Sequence, residues 1–167
     1  NPVRHFREAM CNKGLVEYDK AQSTFSPQTP VSAALFTQML SYAIGKQTDD
    51  RRILAAAGSL QSRYASSQTV LKRHEALAII MDELIPLLPQ NKQWIEGTAS
   101  NFNKYSAEYL KYRNHATFAP LYNNATRQGI INRLYYTKLE PTADLSREYA
   151  AMLIKGLFDA YFWSLPP

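Results

Sequence analysis

The side chains best suited to metal ligation or acid–base work are His5, His74 and His115, with Cys11 and the acidic pairs Asp49-Asp50 and Asp82-Glu83. Their spacing argues against both chemistries. Apart from generic surface charge such as Glu8 after His5, none of the histidines has a second His, Cys or carboxylate at the i+3 or i+4 position of a helical metal site, and His74-Glu75 are adjacent, so they point to different sides of a helix. Each acidic pair fits a helix start or a solvated face, and neither pairs two carboxylates across a cleft. The chain contains no GxSxG, Walker-type glycine loop, HExxH or GxGxxG, and its 6 glycines are not clustered. The expectation is a protein with no catalytic residues, no cofactor site and no metal site.

A second group of residues could recognise a partner instead. Between Phe102 and Tyr136, tyrosines alternate with Lys104, Lys111, Arg113, Arg127 and Arg133. Tyr105, Tyr109 and Tyr112 are four and three apart and share one helical face. Such a band can stack the bases of single-stranded RNA or anchor a protein interface. It can equally fill a helical core with the hydroxyls at the rim. The docking reading takes Tyr105, Tyr109, Tyr112, Arg113, Tyr122 and Arg127 as candidate partner contacts, and expects Tyr109, Tyr112, Arg113 and Tyr122 to be less buried than their types suggest.

The elements that must position these residues are helical. Pro30 to Ala65 reads as two short helices. The first starts after Thr29-Pro30, with Val31, Leu35, Met39 and Tyr42 on one apolar face and Leu40 and Ile44 beside them, and Gly45 is placed to end it. Thr48 is expected to cap the second, whose inner face is Ile53, Leu54, Ala56, Ala57 and Leu60. Upstream, Val3 to Asp19 reads as a helix and Ser23 to Pro30 as a linker. Downstream, Ser66 or Ser67 should cap a long helix from Gln68 to Ile85, and Pro89 a short one carrying Trp94. Leu121 to Gln128 should form another, stopped by Gly129, and Ile130 to Leu139 has a possible helical period. The last helix should run from a Thr142 or Asp144 cap to Trp163, with Tyr149, Met152, Leu153, Gly156, Leu157, Ala160 and Tyr161 inward. No stretch has the alternation of a strand, so the fold class is all-α with seven or more helices.

Helix starts near Pro30, Ser67, Ser106 and Thr142 recur at intervals in the high thirties, close to the roughly 34-residue unit of tetratricopeptide-like repeats. The chain then divides as one helical-repeat domain over 1–167. Its parts are an N-terminal helix and linker (1–29), a hairpin (30–65), a second hairpin (66–102), a Tyr-rich third hairpin (103–139) and a C-terminal helix (140–167). An ordinary helical bundle gives the same spacing. Ser66 to His74, SSQTVLKRH, also resembles the recognition helix of a helix-turn-helix protein, although Val70, Leu71 and Leu77 read as core.

At 167 residues the chain is long enough for one cored domain. A net charge of +5 and a pI near 9.3 come from 19 basic residues spread along its length, which argues against a nucleic-acid tail. One cysteine excludes an internal disulfide, and no apolar window is long enough for a membrane span. The start at Asn1 without a signal peptide is the expectation for a processed mature protein or a fragment.

The Pro30–Ala65 helical pair, the irregular repeats and stretches such as RHEALAIIMDELIPLLP and KYRNHATFAPLYNNATRQGI resemble the extra F1 subunit of euglenozoan (trypanosome-type) mitochondrial ATP synthases, which is pentatricopeptide-repeat-like. The resemblance implies a structural subunit without catalytic residues. It would bind the outside of the α subunit, on the matrix side of the inner membrane, in the complex that couples proton transport to ATP synthesis. Over Arg73 to Trp163, RQGIINRL followed by LSREYAAMLIKGLFDAYFW is similar to the ligand-binding and dimerisation half of TetR-type regulators. That resemblance implies dimerisation through the last helix and an enclosed apolar pocket, but residues 1–65 do not supply the DNA-binding head. A third reading is an RNA-binding pentatricopeptide-like protein, although no regular set of base-reading positions is visible.

Overall fold

A computed structural model describes residues 27–88, 107–131 and 139–162. They form six α-helices: α1 (Ala33–Gln47), α2 (Arg51–Tyr64), α3 (Arg73–Ile79), α4 (Ala107–Tyr112), α5 (Phe118–Arg127) and α6 (Arg147–Tyr161). Among the described residues there is no strand beyond three isolated antiparallel bridges, so the all-α reading holds. No helix among them is long and apolar enough to cross a membrane. The expected helices at Val3–Asp19 and around Trp94 lie outside the described residues.

Three extended arms organise the molecule. Each precedes a helix, and each centres on a buried apolar residue: Val31 before α1, Leu71 before α3 and Leu145 before α6. Their backbones close a ring. Val31 N–H donates to Leu145 C=O (2.8 Å), Leu145 N–H to Leu71 C=O (2.7 Å) and Leu71 N–H to Val31 C=O (3.1 Å). The helix starts donate round the same three arms in the opposite sense, α1 to the Leu71 arm, α3 to the Leu145 arm and α6 to the Val31 arm. The first helical N–H of α1, α3 and α6 donates to Thr69, Ala143 and Thr29, each two residues before the centre of the next arm. The second donates to Ser67, Pro141 and Pro27, each four residues before that centre. The third is held by Ser32 Oγ in α1 and Ser146 Oγ in α6, both at 3.1 Å. In α3 the Glu75 N–H returns to Lys72 C=O (3.0 Å), while Lys72 N–H donates to Glu75 Oε1 (2.8 Å). The N–H groups that a helix start leaves without intrahelical partners are thereby satisfied. The three arms and their helix starts share one cyclic hydrogen-bond pattern.

This ring corrects several expected boundaries. The starts at Pro30, Ser67 and Thr142 mark the arms, and the helices begin later, at Ala33, Arg73 and Arg147. Ser66 to Lys72 is therefore not a recognition helix. α1 continues through Gly45 to Gln47. Asp50, whose carboxylate accepts from Arg52 N–H at 2.9 Å, caps α2, while Thr48 Oγ1 accepts from Asp50 N–H. α3 ends at Ile79, and the chain widens to an i→i+5 bonded turn over Ile80–Leu84 before a 3₁₀ turn at Ile85–Leu87. Pro86 explains the change, because it lacks an N–H and its ring crowds the carbonyl four residues back. Gly129 (φ 80°) ends α5 as expected, but Ile130 and Ile131 are not helical. The residues 132–138 lie outside the described set.

The core sits between α1, α3, α5 and α6, with Phe36, Leu40, Leu77, Ile80, Tyr122, Ile130 and Phe158 among its largest fully buried side chains. α6 is the central helix: Tyr149, Ala150, Ala151, Leu153, Ile154, Leu157, Phe158 and Ala160 are all buried. Gly156 lets α6 lie directly on the backbone after α5, since a Cβ there would stand 2.1 Å from Ile130 O.

Candidate functional site

The aromatic band divides once folded. α5 turns Phe118, Ala119, Tyr122, Ala125 and Thr126 inward, the i, i+4, i+7, i+8 stripe of an amphipathic helix. Tyr122 is 1% exposed, so it belongs to the core and not to a docking face; this corrects the expectation. Arg113 is exposed, and so is Arg127, whose Nη2 donates to Asn124 Oδ1 at 2.6 Å. Tyr112 is half-buried and meets Phe118 edge-on at 5.8 Å, with Lys111 Nζ 5.5 Å from its ring. Tyr105 and the side chain of Tyr109 lie outside the described residues. The signal for Tyr122 was present in its flanking apolar residues at i−4, i−3 and i+3.

Two histidines that are distant in sequence meet at Phe118. His115 stacks on its ring (4.0 Å, 6°) and His74 approaches at 5.0 Å. His115 Nδ1 also accepts from Thr117 N–H and Phe118 N–H, both at 3.1 Å, and so anchors the start of α5. No group of three or more His, Cys, Asp or Glu among the described residues could hold a metal ion.

Beside this stack lies a buried polar cluster that sequence spacing did not suggest. Arg73 stacks its guanidinium over the Tyr149 ring at 4.2 Å and reaches Leu139 C=O (3.4 Å) and Glu140 Oε2 (3.6 Å) through Nη1. Glu140 has a left-handed backbone (φ 41°), a conformation that costs a non-glycine residue about 1 kcal/mol or more. The buried Arg73 Nε and Tyr122 hydroxyl make no hydrogen bond to the described residues. Burial, and then the neighbouring Tyr149 phenol, push Tyr122 well above the usual phenol range.

The described surface also carries a groove of about 250 Å³ lined by Leu35, Gln38, Met39, Ser41, Tyr42, Gln61 and Arg147. Leu35, Met39 and Tyr42 were expected on the inner face of α1. Met39, Leu40 and Ile44 are buried as expected, with Phe36 and Ala43 beside them, whereas Leu35 is half-buried and Tyr42 is 42% exposed. The Leu35, Met39 and Tyr42 edge of α1 lines the groove. Leu110, at 53%, is the other large apolar side chain exposed among the described residues.

No family model matches the chain, and no curated protein or solved structure matches it.

Proposed function

We propose that the chain is a non-catalytic helical subunit that docks on a protein partner within a larger assembly. The observation that carries this is the open groove on α1, where Tyr42 stands 42% exposed on an i, i+4, i+7 stripe with Leu35 and Met39. An apolar helical stripe left beside a groove is a common protein-docking arrangement. The resemblance to the euglenozoan F1 subunit names the assembly: the head of the mitochondrial ATP synthase, with the α subunit as partner. In that reading the arm–helix units serve as degenerate repeats, and α1–α2 is the unit closest to a repeat hairpin.

The TetR-like alternative needs the last helix free for dimerisation, whereas α6 has eight residues buried inside the monomer. Gentle affinity purification from the source organism, followed by mass spectrometry, tests the proposal. ATP synthase α and β subunits should co-purify at fixed stoichiometry. A homodimer without them overturns the F1 assignment.

A further inference from the structure

We infer that in the isolated chain the groove between α1, α2 and α6 is covered by the chain's own segment Val3–Asp19, with Phe6 and Met10 entering beside Leu35, Met39 and Tyr42. The inference rests on the docking function proposed above and adds its regulation: a partner reaches the groove only by displacing this segment.

Size separates the occupants first. At about 250 Å³ the groove is smaller than the roughly 300–1,000 Å³ typical of small-molecule sites, and it suits a few inserted side chains. Shape comes next. Leu35, Met39 and Tyr42 lie at i, i+4 and i+7 on a helix of 15 residues, long enough for a second helix to lie beside them.

The point where the described chain begins names the occupant. Arg147, which forms one wall of the groove, donates its N–H to Thr29 C=O, and Glu148 N–H donates to Pro27 C=O, both at 3.0 Å. Gln28 Nε2 also donates to Glu148 Oε2 at 3.2 Å. Residues 1–26 therefore join the described chain beside the groove wall, and the tether holds them there at high effective concentration. Val3–Asp19, outside the described residues, reads from its sequence as a helix with Phe6 and Met10 four apart, the spacing of Leu35 and Met39. Such a helix is about 25 Å long, and Lys20–Ser26 reaches at most roughly 25 Å, enough to turn it back along α1. Charge does not choose the occupant, because Arg147 already takes part in an interaction within the chain. The apolar match and the tether choose it.

The test places a photo-crosslinking residue at position 42 of the full chain, mixes isotopically heavy and light copies, and maps the product by mass spectrometry. The expected product joins position 42 to Val3–Asp19 within one copy. It should fall about tenfold or more when Phe6→Glu and Met10→Glu are combined, with thermal melting showing the variant folded, and about threefold in the milder Phe6→Ala. A product that joins heavy to light copies, that maps to another part of the chain, or that is unchanged in these variants overturns the inference. Capture of the ATP synthase α subunit from the source organism should rise about threefold or more in the double variant, and equal capture overturns the displacement. A product within one copy without co-purified ATP synthase subunits keeps the cover and removes the docking function. Co-purification without that product removes the cover and keeps the docking function.

Discussion

The ring of arms and the Arg73 cluster are built on the same helices, yet they treat polar groups in opposite ways. In the ring, the backbone N–H groups at three helix starts find partners within one cyclic pattern. In the cluster, at the first residue of α3 and on α5, Arg73 Nε and the Tyr122 hydroxyl are buried without a hydrogen bond to the described residues. The difference lies in what geometry can repeat. Backbone groups sit at fixed spacing, so three extended arms crossing three helix starts satisfy one another as a set. Side chains such as Arg73 and Tyr122 come from unrelated positions, and packing takes precedence over their remaining donors. The ring is the stable frame of the molecule, and the cluster is its less satisfied region.

Four changes probe that contrast. The largest effect should come from Leu145→Ala, which empties the 0%-exposed centre of one arm and should cost about 2–5 kcal/mol in chemical denaturation. A loss below 1 kcal/mol would remove the ring from its place as the frame. Next is Gly156→Ala, at the far end of the same α6. Its methyl group meets backbone, not a flexible side chain, so a cost of about 1–3 kcal/mol is expected in the same assay.

Tyr122→Phe should act with the opposite sign. Removing a buried hydroxyl that makes no hydrogen bond to the described residues should leave stability unchanged or raise it by about 1 kcal/mol. The pH dependence sharpens this. Because the folded phenol is held above its ordinary value of 10.0, the unfolded chain releases its proton first, and stability falls as pH rises past 10. The Phe variant should show a shallower fall in denaturation curves above that pH. If Tyr122→Phe destabilises as much as a core truncation, the hydroxyl has a partner and the contrast fails. The smallest effect should be Lys72→Ala. It breaks the half-exposed Lys72–Asp144 pair (2.5 Å) on the rim of the ring and should cost less than about 1 kcal/mol. A larger loss would mean that side-chain charge, not backbone pairing, closes the arms.

Much of the fold was legible. The α1–α2 pair is visible from its apolar periods, though not from its caps, and Gly129 from its place after an amphipathic run. The three starts near Pro30, Ser67 and Thr142 were also real signals, but of arms instead of caps. Pro, Ser and Thr at those positions suit an extended segment as well as a helix start, and Val31, Leu71 and Leu145 fit either a helical period or the centre of an arm. Sequence periodicity cannot separate the two when the apolar residue is single. The candidate surface was less legible. Tyr122 and Tyr42 are both tyrosines on amphipathic helices, and only their neighbours in space make one core and the other 42% exposed.

By itself the sequence determined the helical class, the α1–α2 pairing and the absence of any recognisable catalytic motif, because these follow from local periodicity and residue type. The tertiary structure decided that arms separated by 40 residues (Val31 to Leu71) and 74 (Leu71 to Leu145) would close one ring. It also decided that His74 and His115 would share Phe118, and that the stripe of α1 would open onto a groove. The physical reason is common to all three. Each depends on which distant segments come together, and local propensity constrains the start of a helix far more than the neighbour it will meet.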